Sequence, residues 1–536
     1  MKPTRIASLA LLSLIFGTSA CKKEFSDINI DPNNPLTADI NLVLPSGQAF
    51  VSYIVGGQYN VIGEILSQQL GIPSGGNQYR TWDQYNIPSS TFDGRQFQGL
   101  YAGSQQDFQY VITQGTAQQE WRMVGIAKIL KAHSFQVLTD LYGDIPFSEA
   151  LLGVDNLTPK YDKQQDVYAG IQALLDDGIN DIKKQAGRFP GSADLNYGAT
   201  NEAGMSKWIR LANTLKLRSY IHISTKDPAT AAAGIGALYA NAGASPFMAT
   251  GDSYQYANSA SANNDNPFYQ TNFRLQNNLG VSSTIGNLMT NLNDPRRSVF
   301  FLDADLRIPA GQTTSPVDYL FVEPGQASPY PLNYVFPTTP PATPSTPVNR
   351  VSYPGTWFIG SAFSNAGALG STYAGITATD AAARARPTLL LTYEESLFLR
   401  SEAAVQGWAT GENAQSLYEA AVTASLTRYG VGANAATYLT STGVNFAAPA
   451  TNADKLRLIA TQKYISFFAT NGVEAWTENR RTDIPTLRSP ITNVLGPNIF
   501  AKRLPYVDSE ILRNPNVAAT GLVPGDIKTP VWWDVN

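Results

Sequence analysis

The side chains that most often carry covalent or metal chemistry are nearly missing from this sequence: it holds one cysteine, Cys21, and two histidines, His133 and His222, in 536 residues. Neither histidine has a second at metal-ligand spacing, and both fall in segments of helical periodicity, so packed or surface roles are expected for them rather than ligation. Gly251-Asp252-Ser253 has the look of a hydrolase block, yet no histidine follows it to serve as base. Gly-x-Ser-x-Gly elbows and phosphate-binding glycine loops are absent from the sequence. Glycoside hydrolysis needs only two suitably spaced carboxylates, and 42 acidic residues keep a surface glycoside hydrolase open as a lesser alternative, although no pair is marked. Asp27, Asn29, Asp31 and Asn33 alternate like the start of a calcium loop, but the loop glycine is missing and the twelfth position is Ala38 rather than Glu, so an extended strand or turn is expected. The expectation is a protein that is not an enzyme and has no cofactor and no metal.

Cys21 has a different chemistry available. Lys2 and Arg5 form a basic start, Ile6 to Phe16 a short apolar run, and Gly17, Thr18, Ser19 and Ala20 a small-residue stretch ending at the cysteine. That order is the layout of a cleaved secretory signal, and the apolar run is too short to span a bilayer comfortably. The small residues lead into Cys21 as in a bacterial lipobox, with Thr18 where Leu is usual. The alternative is an ordinary signal peptide followed by an incidental cysteine. Lipidation at Cys21 would anchor the chain, since each buried methylene contributes about 0.8 kcal/mol and stable anchoring takes more than one acyl chain. No later segment offers a run of apolar residues long enough to cross a membrane.

With its cysteine committed to an anchor, the chain can form no internal disulfide, and stability must come from burial in a core that this length can supply. The net charge of −4 and pI near 5.4 argue against a nucleic-acid partner, which would need a basic face. Charged residues make up 15% of the chain, and Asn, Gln, Ser, Thr, Gly and Tyr are plentiful, a surface suited to uncharged polar ligands such as sugars.

Helical periodicity supplies the frame. It runs from Trp121 to Leu141, then after Asp162 as a plausible N-cap with Gln165 at the capping-box position, then after Ser206 in a segment apolar around most of its circumference. Near the C-terminus, Tyr393 to Ala404 and Leu417 to Tyr429 form a helix pair across a turn at Gly407 to Gly411, similar to a degenerate tetratricopeptide unit, and Leu456 to Phe467 is a last strong helix. Between about 251 and 386 periodicity fades, and Pro324 to Pro347 is dense in Pro, Thr and Ser. Tyr330, Tyr334, Phe336, Tyr353, Trp357 and Phe358 punctuate this stretch, which favours ordered loops over a linker.

Several segments, spread over the whole chain after Cys21, resemble the SusD/RagB family of nutrient-binding lipoproteins, particularly a branch with an Asp-Pro-Asn start. They are Asp27-Ile-Asn-Ile-Asp-Pro-Asn-Asn-Pro35, Leu138-Thr-Asp-Leu-Tyr-Gly-Asp-Ile-Pro-Phe-Ser-Glu149, Pro159-Lys-Tyr-Asp162 with Asp166-Val-Tyr168, and Lys207-Trp208 with Ala212-Asn213 and Leu215-Lys-Leu-Arg218. Further on come Glu402-Ala403-Ala404, Glu474-Ala-Trp476 with Arg480-Arg481-Thr482, and Arg503-Leu-Pro-Tyr506 with Asn514-Pro-Asn516. The resemblance implies a mostly α fold: a scaffold of tetratricopeptide-like helix pairs with long irregular loop insertions. Residues 1–20 would be the lipoprotein signal and 21–536 one ligand-binding domain, its helical scaffold at about 35–250 and 387–536 and its insertion at about 251–386.

It also implies a cell-surface protein, lipid-anchored in the outer membrane. Such a protein captures oligosaccharide, or peptide in some branches, and passes it to a SusC-like TonB-dependent transporter without catalysis. Most motif residues are expected to serve structure: Asp140, Tyr142, Gly143, Asp144 and Pro146 as a helix end and turn, and Arg480 and Arg481 in ion pairs with Glu474 and Glu478. For the ligand, flat aromatic faces with amide and Arg donors are the expected contacts. The best local cluster is Gln78, Tyr79, Arg80, Trp82, Gln84 and Tyr85, close to Phe92 and Arg95, in an early glycine-bearing loop. The alternative is a loop held down by its own aromatics. Tyr353, Trp357 and Phe358 are the second choice, so the candidate ligand-binding residues are Tyr79, Arg80, Trp82, Tyr85 and Trp357.

Overall fold

The computed structural model describes residues 37–73, 78–241, 243, 246–261, 263–272, 278–302, 319, 321–326, 351–359 and 381–536. Cys21, the signal segment and the polar tether lie outside the described residues, as do Tyr330, Tyr334 and Phe336. The fold is mostly α. Its longer helices, in chain order, are α1 (Ile40–Ile54), α2 (Asn60–Leu66), α3 (Gln106–Ala117), α4 (Trp121–Tyr142), α5 (Gln164–Lys183) and α6 (Glu202–Ile223). They continue with α7 (Pro228–Asn241), α8 (Ser283–Asn291), α9 (Tyr393–Val405), α10 (Ala414–Arg428), α11 (Asn452–Ser466) and α12 (Gly472–Thr482).

Helix α4 is buried on nearly every face because α3 packs on one side, α5 on another, and α6 and α12 also reach it. Its crossing with α5 depends on two glycines. A Cβ added to Gly125 would lie 2.6 Å from the Gly178 carbonyl oxygen, so only bare backbone fits there. The same device joins ends of the chain far apart in sequence: a Cβ on Gly63 of α2 would lie 2.2 Å from the Gly472 backbone at the start of α12. Asn60 seals that crossing by accepting the Gly472 N–H at 2.6 Å.

The helix starts differ from the sequence reading in an instructive way. Helix α5 begins at Gln164 without a cap from Asp162; Asp144 instead accepts the Gln164 N–H at 2.9 Å, while Asp162 takes the Phe147 and Ser148 N–H groups. Helix α6 begins before Ser206, with Asn201 accepting the Gly204 N–H.

Strands are short and act as staples. β1 (Leu70–Gly71) pairs with β5 (Gly280–Val281), β2 (Ile145–Pro146) with β3 (Tyr161–Asp162), and β4 (Tyr254–Tyr256) with β6 (Thr388–Leu391), all antiparallel. The described parts of the stretch from 251 to 386 are docked on the scaffold. Phe300 stacks on Phe468 at 4.9 Å, and Phe358 meets the same ring edge-on at 5.3 Å. Tyr254, Phe268 and Phe358 belong to the same buried core as α4, and a second cluster around Phe398, Tyr418 and Val422 lies between α9 and α10.

Candidate functional site

The early aromatic loop is an interior feature. Tyr79, Trp82 and Tyr85 are 1%, 7% and 3% exposed, so their rings offer no open platform in this conformation. Tyr79 packs on Trp82 at 4.6 Å, Trp82 on Phe92 at 5.2 Å, and Phe92 on Tyr59 at 5.6 Å, a row leading into the core. Arg80 ties the loop down by donating to the Gln326 carbonyl at 2.7 Å and the Pro73 carbonyl at 3.1 Å. Asp83 accepts the Gly325 N–H at 2.9 Å, and burial pushes its carboxyl up to about 7. Tyr85 adopts φ +60°, a left-handed conformation that costs a side-chain-bearing residue about 1–2 kcal/mol, offset by burial of its ring against Phe500.

Trp357 lies elsewhere, half-buried among Phe358 and Tyr429, each with ring centres 4.9 Å away. The Arg386 guanidinium covers one indole face at 4.5 Å and donates to the Trp357 carbonyl at 3.1 Å. Beside it, among Asn60, Asn266, Phe268, Thr388 and Thr470, is a cavity of about 20 Å³. That volume suits a water molecule rather than a sugar ring. Tyr353, also singled out in the sequence, is 6% exposed.

The motif residues gather into a buried charged centre. His222 Nε2 lies 2.9 Å from Glu474 and its Nδ1 lies 3.4 Å from Asp140. Arg218 bridges Glu395 at 3.2 Å and Glu474 at 3.6 Å, and Lys463 reaches Glu478 at 2.6 Å and Glu402 at 3.2 Å. Arg481 pairs with Glu478 at 2.7 Å and Glu402 at 2.8 Å. Arg480 instead donates to the carbonyls of Asp140 and Lys502.

Burial alone would push the His222 imidazole down, but Glu474 and Asp140 outweigh it and lift the pKa to about 9. Burial pushes Glu474 up, and Arg218 and His222 more than reverse that. Burial likewise raises Glu395, and there Arg218 does not fully compensate, so its carboxyl stays shifted toward the protonated form. With Glu395 protonated, the cations Arg218, His222, Lys463 and Arg481 match the carboxylates Asp140, Glu402, Glu474 and Glu478 in number. His222, Glu474 and Glu478 are close enough to share a metal ion, within 4.8 Å, but the protein's own cations already occupy these carboxylates. This arrangement is structural.

The remaining chemical candidates are buried or paired. His133 is 2% exposed, and burial together with Arg218 drives its pKa well below the usual histidine range. Asp252 pairs with Arg210 at 2.6 Å, and the Ser253 hydroxyl accepts the Tyr393 N–H at 3.1 Å. What the sequence reading passed over is Tyr53, 41% exposed on α1, which faces an open hollow of about 340 Å³ whose far side carries Tyr256, Asn258 and Asn264. The available signal was an aromatic ring at a position outside the buried stripe of Ile40, Leu44 and Val51.

Comparison with known proteins agrees with this architecture. The profile of a family described as SusD-like, starch-binding associating with outer membrane, matches residues 51–316 and 358–507. No curated protein sequence gives a significant match. A solved chitin-binding SusD homologue from Flavobacterium johnsoniae is 25% identical, covers 92% of this chain and 99% of its own, and superposes with a TM-score of 0.69. A SusD homologue from Bacteroides fragilis is 22% identical over 93% of this chain and 99% of its own, with a TM-score of 0.71. A SusD-like protein from Bacteroidetes is also 22% identical, over 93% and 100%, with a TM-score of 0.72. The last two similarities speak to the fold alone.

Proposed function

The chain belongs to the SusD-like family, and from that membership we propose that it captures oligosaccharide at the cell surface and passes it to a SusC-like TonB-dependent outer-membrane transporter. The observation that carries this reading is the family match across most of the chain, joined to a fold shared from end to end with a homologue described as chitin-binding. In this reading Cys21 is the lipidated residue, residues 1–20 are the signal, and residues 21–536 form one ligand-binding domain. Among the described residues no helix is long and apolar enough to cross a membrane, which is compatible with anchoring through lipid. Binding without catalysis is supported by the two histidines: one is sealed in the core and the other locked as a cation between carboxylates, so neither is placed to act as a base.

Within this reading Tyr79, Arg80, Trp82 and Tyr85 act as the frame of the ligand-handling loops, and Trp357 is the aromatic member of the set that is only half-buried. The test has two arms. The mature chain, screened against immobilised oligosaccharides and peptides, should retain oligosaccharide; retention of peptides alone would move the reading to peptide uptake. Gentle detergent purification from the native outer membrane should bring down a TonB-dependent barrel, and a preparation containing only this chain would overturn the delivery role.

A further inference from the structure

We propose that the hollow beside Tyr53 is a carbohydrate-binding site of its own, separate from Trp357 and its neighbours, and that it takes an uncharged sugar unit. One wall is a single face of α1. Ser46, Ala49, Phe50 and Tyr53 lie at i, i+3, i+4 and i+7, the spacing that places side chains on one side of a helix. Two of these are aromatic and none is charged. Tyr53 is 41% exposed although most of α1 around it is buried, so an apolar ring is held at the mouth of a cavity. Such a ring offers a flat surface at little cost in side-chain entropy.

The opposite wall is polar and fixed. Asn258 donates through Nδ2 to the Arg386 carbonyl at 2.7 Å and to Thr388 Oγ1 at 3.0 Å, which sets the plane of its amide. Asn264 is held by the Tyr256 hydroxyl at 3.4 Å and by Ser259 Oγ at 3.2 Å. The Tyr53 hydroxyl and the exposed Asn263 amide make no hydrogen bond among the described residues, so both can serve a ligand's hydroxyl groups. Pairing of β4 with β6 ties this wall to the scaffold, and Gly56, just past α1, lets the Thr388 side chain come within 2.2 Å of where a Cβ would stand. Asn258 and Tyr256 are therefore positioned before a ligand arrives, which limits the entropic cost of binding.

Charge selects the ligand class. Among the described residues no Lys or Arg lines the hollow, and the one carboxylate among them, Asp265, is engaged by Gln270 at 3.0 Å and Arg384 at 3.4 Å. A uronate or sulfated sugar would find no cation to meet it among the described residues. An uncharged sugar finds the general form of a small-molecule site: apolar platforms, a few oriented polar groups, and a volume of about 340 Å³ against the usual range of about 300–1,000 Å³. The cavity at Trp357, about 20 Å³, cannot accept a sugar ring.

The inference rests on the glycan-binding reading above, and the experiment separates the two. The mature chain is titrated calorimetrically with neutral malto-, chito-, xylo- and manno-oligosaccharides, with oligogalacturonate as the anionic member. The expected result is a neutral ligand whose affinity falls at least fivefold in both Tyr53→Ala and Asn263→Ala while Leu157→Ala, at an exposed position that does not line the hollow, retains it. Both substitutions are at exposed positions, and unchanged melting temperatures confirm the fold. Neutral-sugar binding that Tyr53→Ala and Asn263→Ala leave intact overturns this site alone. Preference for oligogalacturonate at the same site overturns the assigned ligand class. Failure of the unsubstituted chain to bind any member overturns the glycan reading and this site with it.

Discussion

His222 shows how a side chain suited to catalysis is committed to structure. Its ring is fully buried between Glu474 and Asp140, and Arg218, Lys463 and Arg481 balance the remaining carboxylates around it. Ionic groups this deep recover their desolvation cost only while every partner is present, and removing one partner of such a set costs about 3–5 kcal/mol. The pKa near 9 in the folded chain, against about 6.5 unfolded, fixes the sign of a pH effect. Because the folded state holds the proton more tightly, the stabilisation is complete below about pH 6.5 and is lost as pH rises through about 9. Glu395, whose pKa is also raised by burial, adds a loss of the same sign beginning nearer the ordinary carboxylate range. Urea unfolding at a series of pH values should therefore show stability falling by on the order of 3 kcal/mol between these limits. A His222→Gln chain should start less stable and lose most of that slope; a wild-type curve flat from neutral to alkaline pH would contradict the assigned charge state.

Elements meet here through backbone as much as through side chains. At the α2–α12 crossing, Gly63 and Gly472 bring chain segments some four hundred positions apart into direct contact. Alanine is the better helix former by about 1 kcal/mol, so propensity alone would favour Gly63→Ala. The added Cβ, 2.2 Å from the Gly472 backbone, meets atoms that cannot rotate away, and overpacking of that kind costs about 1–3 kcal/mol or more. Sterics should win: Gly63→Ala should lower the urea midpoint, whereas Gly94→Ala, which meets nothing within 4 Å, should not. The helices themselves were readable from the sequence wherever their signal was local. Helix α6 advertises burial round most of its surface, and the Gly407 to Gly411 turn marks the α9–α10 pair. The start of α5 was misread because its cap, Asp144, is 20 residues upstream of Gln164, beyond any local capping motif. The aromatic loop was legible as a cluster, open or held down by its own aromatics, and the choice between the two turns on the row from Tyr79 through Trp82 and Phe92 to Tyr59, whose last ring lies outside the loop. Tyr53 was invisible for the converse reason: its open side is defined by Tyr256, Asn258 and Asn264, about two hundred residues away.

For the whole molecule, the question is which force brings the ligand in. A chain with net charge −4 and 15% charged residues projects little field of either sign. Its strong electrostatics are internal, concentrated at the Arg218–Glu474–Arg481 centre, and are cancelled there in near-matched pairs. Long-range steering is then a minor contribution, and recognition depends on contact: ring faces, amide hydrogen bonds and exclusion of water in a preformed hollow. These short-range forces are insensitive to added salt, because screening acts on charges separated by about a Debye length or more, about 10 Å at 0.1 M and 3 Å at 1 M. Affinity for the neutral oligosaccharide selected in the calorimetric screen should thus change by less than about twofold between roughly 0.05 and 0.5 M sodium chloride. A polyanionic glycan bound through surface Lys and Arg would behave in the opposite way, losing affinity steeply over that range, as counterion release dictates for charged polymers. A steep loss would place the ligand on the charged exterior and away from the Tyr53 hollow, even if the chain proved to bind glycan.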